Sequence, residues 1–207
     1  MKLIGILDSP FVRRVAISMR LLGLPFEHAA VSVFRGFGEF QQINPVVKAP
    51  TLIADDGSVL MDSTLMLIYA EALAGRSLMP AEPAALLREL RLVGLALAGC
   101  EKTAQIVYER GLRPAEKLHQ PWIDRVTGQL HAAYGELDAE LAAQPLDTRE
   151  AGLQQAAITA GVAWTFTQFM LPDAAPAARF PHLAAHAAAM EALPVFRAIP
   201  CDDALNL

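Results

Sequence analysis

The sequence predicts two domains of different class: a small α/β domain in the order βαβ-ββα, followed by an all-α helical bundle. Three observations support this division. Short apolar runs with the length of strands occur only before residue 62, helical periodicity dominates from residue 83 onward, and a stretch containing glycine and proline lies between the two patterns. We therefore expect domains at residues 1–75 and 82–207, joined by a linker at 76–81.

The first three elements are predicted to form a βαβ unit. Residues 2–7 are apolar and have the character of a strand, and Ser9 is the predicted N-cap of a helix that begins at Pro10. Apolar residues then recur at helical spacing up to Gly23, which ends the helix, and residues 26–33 alternate as a second strand. Because a helix connects the two strands, we expect them to lie parallel.

Two brief strands and a helix complete the predicted small domain. Residues 34–44 are irregular and predict a loop or a short distorted helix. Residues 51–54 and 59–61 are predicted strands, because the turn between them is rich in Asp and Gly and is typical of a hairpin. The pair Asp62-Ser63 then caps a helix. The apolar stripe of this helix comprises Leu65, Ile68, Tyr69, Ala72 and Leu73.

The second domain is predicted to contain helices only. A short last helix should follow Pro194, and the longer helices are expected at 83–110, 118–143, 152–170 and 180–191. No charged residue occurs between Glu150 and Asp173, a run long enough to span a bilayer. The run nevertheless carries several glutamines and threonines. We therefore expect a helix buried in the bundle, with Trp164 and Phe166 in the core, and no membrane span.

Charge and cysteine content exclude several functional classes. The net charge of -5 gives no surface for nucleic acid or anionic membrane, and the scattered arginines are expected on solvated helix faces. Cys100 and Cys201 are too few and too isolated for a disulfide framework or a metal site, and Cys100 is expected to be buried. The apolar N-terminus is too short for a secretion signal, so we expect a cytoplasmic protein.

Three segments resemble the glutathione transferase family. They are residues 9–15 (Ser-Pro-Phe-Val-Arg-Arg-Val), residues 44–52 (Asn-Pro-Val-Val-Lys-Ala-Pro-Thr-Leu) and the pair Asp62-Ser63. The order, spacing and placement of these segments at strand ends carry the resemblance. It covers the whole chain, because a thioredoxin-like domain followed by a helical bundle is the layout of that family. The resemblance is to bacterial members of the serine type, and it implies a cytoplasmic homodimer that serves in detoxification.

The resemblance assigns the catalytic role to Ser9, whose hydroxyl would donate a hydrogen bond to the sulfur of glutathione. A free thiol has a pKa of about 8.5, and lowering it by about two units needs roughly 2.7 kcal/mol of preferential thiolate stabilisation. A hydrogen bond to a charged partner supplies about 1.5–3 kcal/mol. The positive end of the helix that begins at Pro10 adds up to about 2 kcal/mol. Outside this family context, Ser9 would be an ordinary helix cap.

The resemblance also implies the residues that hold the rest of glutathione. Pro50 is expected to follow a cis peptide bond that presents the backbone of Ala49 to the cysteinyl part. Ser63 is expected on the γ-glutamyl carboxylate, Asp62 toward the ammonium group, and Lys48 near the glycine carboxylate. Glutathione is then a co-substrate, with no tightly bound cofactor and no metal.

A second pocket for a small hydrophobic electrophile is expected from Phe11, Tyr108 and Arg110. Two alternatives stay open: a glutathione-dependent isomerase or dehalogenase, which needs the same thiolate, and a non-catalytic binding or regulatory protein. A thiol–disulfide reductase is disfavoured, because Ser9 stands where an attacking cysteine would be required and both cysteines lie in the helical half of the sequence.

One departure from the family pattern concerns the helix at 152–170. In the family this helix commonly begins with a Ser/Thr-x-x-Asp capping box, and Gln154 and Ala157 occupy those positions here. We expect the two capping hydrogen bonds to be absent or replaced, at a cost of about 1 kcal/mol.

Overall fold

The structure, a computed structural model, describes residues 1–201 of the 207-residue chain. The chain forms two compact units. The first comprises Met1–Leu78 together with the segment that begins at Pro194, and the second comprises Met79–Leu193.

The first unit is a four-stranded sheet with helices. Its elements in chain order are β1 (Lys2–Ile4), α1 (Pro10–Leu21), β2 (Glu27–Ala29), α2 (Phe37–Ile43), β3 (Thr51–Ile53), β4 (Val59–Met61) and α3 (Ser63–Ala74). The strand order is β2-β1-β3-β4. Strands β1 and β2 pair in parallel, whereas β3 is antiparallel to both of its neighbours. The predicted βαβ-ββα order is therefore confirmed, and residues 37–43 form the short helix that the sequence left open.

The first two strands are shorter than the sequence predicts. Strand β1 ends at Ile4, because Gly5 adopts a φ of +135° that only glycine tolerates and the chain then turns toward α1. A Cβ atom at Gly5 would also lie 2.6 Å from a methyl group of Val12. Glycine is therefore required both for the turn and for the close approach of α1 to the sheet.

The second unit contains four long helices. They are α4 (Pro83–Leu112), α5 (Gln120–Ala143), α6 (Gln155–Met170) and α7 (Pro181–Glu191). Helix α4 packs against α5 and α6, and α7 packs against both of these helices as well. Twelve of the sixteen residues of α6 are buried, including Trp164 and Phe166, so the uncharged run is the central helix of this unit as predicted. Among the described residues, no helix meets the length and hydropathy that a membrane span requires.

The structure differs from the predicted division at the C-terminal end. Helix α8 (Pro194–Arg197) packs against α1, and the segment that begins at Pro194 is part of the first unit. The side chain of Arg13 on α1 explains this placement: its Nε donates a 2.8 Å hydrogen bond to the carbonyl oxygen of Ile199, and its guanidinium lies 5.3 Å from the ring centroid of Phe196. Cys201 also belongs to the first unit, and not to the helical unit as the sequence suggested.

Two arginines correct the expectation that arginines lie on solvated faces. Arg13 and Arg14 are only 1% and 2% exposed. Both lie on α1, which is covered by α3 and α8. Because their hydrogen-bond partners lie far away in the sequence, local charge pattern could not identify them as buried.

The apolar stripe predicted for α3 is not its buried face, because four of its five residues are exposed and Tyr69 is half-buried. Leu65, Ile68 and Leu73 are 56%, 62% and 49% exposed, whereas Met66, Leu67 and Ala70 are buried. Helix α3 is apolar on more than one side, so its periodicity did not determine which side packs against the rest of the unit.

Candidate functional site

Three chain segments reach the same edge of the sheet in the first unit. The pairing register places Ile4 at the end of β1 opposite Thr51 at the start of β3, and Thr51 opposite Met61 at the end of β4. The predicted site residues lie next to these three strand ends. Ser9 follows β1, Pro50 precedes β3, and Asp62-Ser63 follows β4.

Ser9 occupies the N-cap position of α1, with Pro10 as the first helical residue. Its φ and ψ of -63° and 120° are extended, and its side chain makes no capping hydrogen bond. The backbone carbonyl of Ser9 accepts from the N–H of Arg13 at 2.9 Å, so the helix begins without help from the hydroxyl. The half-buried hydroxyl therefore lies beside the positive end of α1 and is not used by the cap.

The loop before β3 presents its backbone in a fixed conformation. The peptide bond between Ala49 and Pro50 is cis, as expected. Asn44, which is 2% exposed, donates from Nδ2 to Thr51 Oγ1 at 2.8 Å, and Thr51 Oγ1 donates to the carbonyl of Lys48 at 2.8 Å. These two bonds hold the loop from both ends. Within the described part of the chain, the N–H and C=O groups of Ala49 make no hydrogen bond, so they are available to a ligand.

The pair Asp62-Ser63 stands at the start of α3. Asp62 has a positive φ of 73°, and its Oδ1 accepts from the N–H of Thr64 at 2.9 Å and from that of Leu65 at 3.4 Å. Asp62 is thus the cap of α3, as its residue type predicts. Ser63 is the first helical residue and is 5% exposed, so its N–H is one of the helix-start donors that have no partner inside the helix.

Arg14 is a residue of this region that sequence reasoning missed. Its Nη1 donates to Ser63 Oγ at 3.1 Å and to Thr64 Oγ1 at 3.2 Å. These bonds join α1, which begins beside Ser9, to the start of α3. The sequence offered no signal for them, because Arg14 is one of two adjacent arginines on a helix and its partners lie about fifty positions later.

The remaining predicted site residues are Lys48, Phe11, Tyr108 and Arg110. The side chain of Lys48 is exposed, and Phe11 is half-buried on α1. In the second unit, Tyr108 is 46% exposed on α4, and Arg110 donates from Nη1 to Asp173 Oδ2 at 2.9 Å. Since Phe11 belongs to one unit and the other two residues to the second, the electrophile pocket that they would form together stays a prediction. The described residues contain no group of three His, Cys, Asp or Glu side chains placed to hold a metal ion.

Comparison with known proteins points to one family. Residues 3–78 match the family model of the glutathione S-transferase N-terminal domain. A crystal structure of a glutathione S-transferase from Methylobacterium radiotolerans in complex with glutathione sulfonate superimposes with a TM-score of 0.86 at 25% identity, covering 95% of this chain and 92% of the other. A glutathione transferase family member from Pseudomonas fluorescens Pf-5 with bound glutathione gives a TM-score of 0.79 at 28% identity, covering 96% and 97%.

A similar curated sequence is the uncharacterized GST-like protein YibF of Escherichia coli (strain K12). It is 26% identical over 165 residues, which cover 79% of this chain and 81% of the relative. The similarity therefore extends past the N-terminal domain into the helical part.

Proposed function

We propose that the chain belongs to the glutathione S-transferase family and is a serine-type glutathione transferase in which Ser9 stabilises the thiolate of glutathione for attack on a small hydrophobic electrophile. One observation carries this proposal. The ends of three strands lie side by side, and the predicted site residues adjoin them: Ser9 after β1, the cis bond of Pro50 before β3, and the Asp62-Ser63 pair after β4.

The proposed binding mode uses the groups that are available at this edge. The cysteinyl backbone of glutathione pairs with the N–H and C=O of Ala49. The γ-glutamyl carboxylate lies at the start of α3 on Ser63, where a helix N-terminus favours an anion. Asp62 already accepts two backbone N–H groups through Oδ1, which leaves Oδ2 for the ammonium group. The exposed Lys48 is placed near the glycine carboxylate.

The proposed chemistry needs a donor at the sulfur and no protein base. Loss of the thiol proton to solvent leaves a thiolate, which accepts a hydrogen bond from the hydroxyl of Ser9. Such a bond to a charged partner supplies about 1.5–3 kcal/mol, and the N-terminus of α1 adds up to about 2 kcal/mol. The sulfur then forms a bond to the electrophilic carbon. In a displacement, the leaving group departs with the bonding electron pair. In an addition, the electrons of the π bond move onto the acceptor, which takes a proton from solvent. Ser9 stays protonated throughout.

The alternatives share parts of this site. A glutathione-dependent isomerase or dehalogenase would use the same thiolate, and a non-catalytic binding protein would use the same glutathione contacts without turnover. A thiol–disulfide reductase is disfavoured because Ser9, and not a cysteine, stands at the start of α1.

Phe11, Tyr108 and Arg110 are proposed to contact the electrophile.

Retention on immobilised glutathione, followed by a conjugation assay with a general electrophile, tests the proposal. We expect retention that free glutathione reverses, and turnover that depends on glutathione. Retention without turnover on any electrophile or halogenated substrate would favour the non-catalytic alternative. Absence of both binding and turnover would contradict the proposed function.

We further propose that the chain acts in the cytoplasm as a homodimer. Each unit exposes large apolar side chains on a helix: Leu65 and Ile68 on α3 are 56% and 62% exposed, and Leu87 and Leu90 on α4 are 71% and 52% exposed. Such side chains favour a partner surface. Ile68→Glu is expected to shift sedimentation from dimer to monomer, whereas Leu118→Glu, at another exposed apolar position, should not. A monomeric wild-type chain would contradict this proposal.

A further inference from the structure

We infer that Arg14 is a positioning residue that holds the hydroxyl of Ser63 as a hydrogen-bond donor for the amino-acid end of the bound peptide. This inference rests on the proposed function and deepens it, since it concerns how the γ-glutamyl group of glutathione is recognised. It is carried by the contact between α1 and α3, and by the chemistry of the two side chains that meet there.

The geometry is specific. Arg14 and Ser63 are 2% and 5% exposed, so their 3.1 Å hydrogen bond is shielded from bulk water. The same guanidinium nitrogen lies 3.2 Å from Thr64 Oγ1. One NH2 group of Arg14, which carries two hydrogens, therefore donates to two hydroxyl oxygens on successive residues, at the first turn of α3.

The chemistry of the two groups fixes the direction of the bond. A guanidinium has N–H donors and no acceptor, whereas a hydroxyl has one hydrogen and two lone pairs. Ser63 Oγ must therefore accept from Arg14, and its own hydrogen is left to donate elsewhere. At the first residue of a helix the backbone N–H is also a donor without an intrahelical partner. Ser63 thus offers two donors to one ligand, and the buried charge of Arg14 strengthens both toward an anion.

The neighbouring residue completes the recognition of a zwitterion. Asp62 precedes Ser63 directly, and its carboxylate can accept from an ammonium group through Oδ2 while Oδ1 caps the helix. Asp62 therefore presents a negatively charged acceptor, and Ser63 beside it presents two donors that are close to the positive charge of Arg14. This arrangement matches an α-amino acid end, which carries an ammonium and a carboxylate on one carbon. Arg14 is expected to affect affinity for that end and not for the remainder of glutathione.

Calorimetric titration with two ligands tests this role. The ligands are glutathione and cysteinylglycine, which lacks the γ-glutamyl group. In Arg14→Met we expect the Kd for glutathione to rise about 10- to 100-fold, the effect of losing a charge-assisted hydrogen bond, with a change of less than about threefold for cysteinylglycine. Arg14→Lys keeps the charge without the forked geometry and is expected to give an intermediate loss of selectivity, about three- to tenfold. It also serves as the second variant if Arg14→Met does not fold.

Arg13→Met is the matched control. Arg13 is the adjacent arginine on the same helix and is equally buried, but its Nε donates to the carbonyl of Ile199 and its guanidinium lies over the ring of Phe196. The ratio of the two dissociation constants should therefore stay as in the wild type, even where stability falls. If the Arg14 variants lost both ligands equally, or kept the wild-type ratio, the inference would be overturned while the proposed function stood. A wild-type protein that did not bind glutathione would overturn the proposed function and this inference with it.

Discussion

The buried side chain of Glu89 on α4 caps the start of α6, where its Oε1 accepts a 2.6 Å hydrogen bond from the N–H of Ala156. The residue at the N-cap position of α6, Gln154, makes no side-chain capping hydrogen bond. The capping box that is missing from the sequence is therefore replaced, for at least one helix-start N–H, by a carboxylate from another helix.

Two substitutions of Glu89 should distinguish the effect of its hydrogen bond to α6 from the effect of its negative charge. Glu89→Ala removes the acceptor and leaves a buried N–H without a partner, so we expect the free energy of unfolding to fall by about 1–3 kcal/mol. Glu89→Gln keeps a carbonyl oxygen of similar reach, and we expect it to remain within about 1 kcal/mol of the wild type. Urea denaturation of both variants measures the difference. Equal losses in the two variants would show that the hydrogen-bond cap is not what stabilises α6.

The buried carboxyl group of Glu89 also predicts that stability depends on pH. Burial raises the pKa of Glu89 above its ordinary value, and this outweighs the opposing effects of the Ala156 N–H and the Arg88 charge. The folded state then binds a proton more tightly than the unfolded state. The protonation-dependent part of the contribution of Glu89 to stability is therefore present below the ordinary pKa of about 4.5 and is lost as the pH rises through the raised value. Glu89→Gln should abolish this part of the pH dependence.

Two glycines on α4 should respond in opposite directions to alanine. A Cβ atom at Gly99 would lie 2.2 Å from the ring of Tyr134, whereas nothing lies within 4 Å of a Cβ atom at Gly94. Tyr134 is fully buried, and its hydroxyl lies 2.6 Å from Thr167 Oγ1, so the ring cannot easily move away. Gly99→Ala is expected to destabilise the protein by about 1–3 kcal/mol, and Gly94→Ala to stabilise it by about 0.5–1 kcal/mol. Thermal unfolding of both variants checks this pair, and a stabilising Gly99→Ala would contradict the packing described for Tyr134.

His186 should make the protein less stable in mild acid. Its Nε2 lies 3.0 Å from the carbonyl oxygen of Ala157, and burial lowers its pKa below the ordinary 6.5 despite that favourable contact. The unfolded state therefore takes up the proton first, and stability falls as the pH drops from about 6.5 toward the lowered value, by at most about 1.4 kcal/mol per pH unit. His186→Gln should flatten this slope in denaturation measurements made across that range.

The sequence predicted the elements of the fold because their signals are local. Ser9-Pro10, Gly23 and the Asp-rich hairpin turn mark the ends of elements through backbone preferences that act within a few residues. The pairing of β1 with β2 followed from the helix between them. The roles expected for Pro50 and Asp62-Ser63 came from the resemblance to the glutathione transferase family, because local preferences alone indicate only a trans proline and an ordinary helix cap at these positions.

The features that the sequence did not predict depend on long-range contacts. Arg13 reaches Ile199, 186 positions away, and Arg14 reaches Ser63, 49 positions away, so both arginines resembled surface residues locally. The placement of Pro194 with the first unit depends on the first of these contacts. The buried side of α3 was also not predictable, because a helix that is apolar on several sides has no single face for periodicity to select.

The thiol pKa of bound glutathione is the most direct test of the central claim about Ser9. It is measured from the ultraviolet absorbance of the thiolate during a pH titration of the complex, in the wild type and in Ser9→Ala. We expect the wild type to lower the pKa by about two units from about 8.5, and Ser9→Ala to reverse one to two of these units while the affinity for glutathione changes less than about threefold. The hydroxyl makes no capping bond, so stability should be nearly unchanged. A bound-thiol pKa that is the same in both proteins would contradict the assignment of Ser9 as the hydrogen-bond donor to the sulfur.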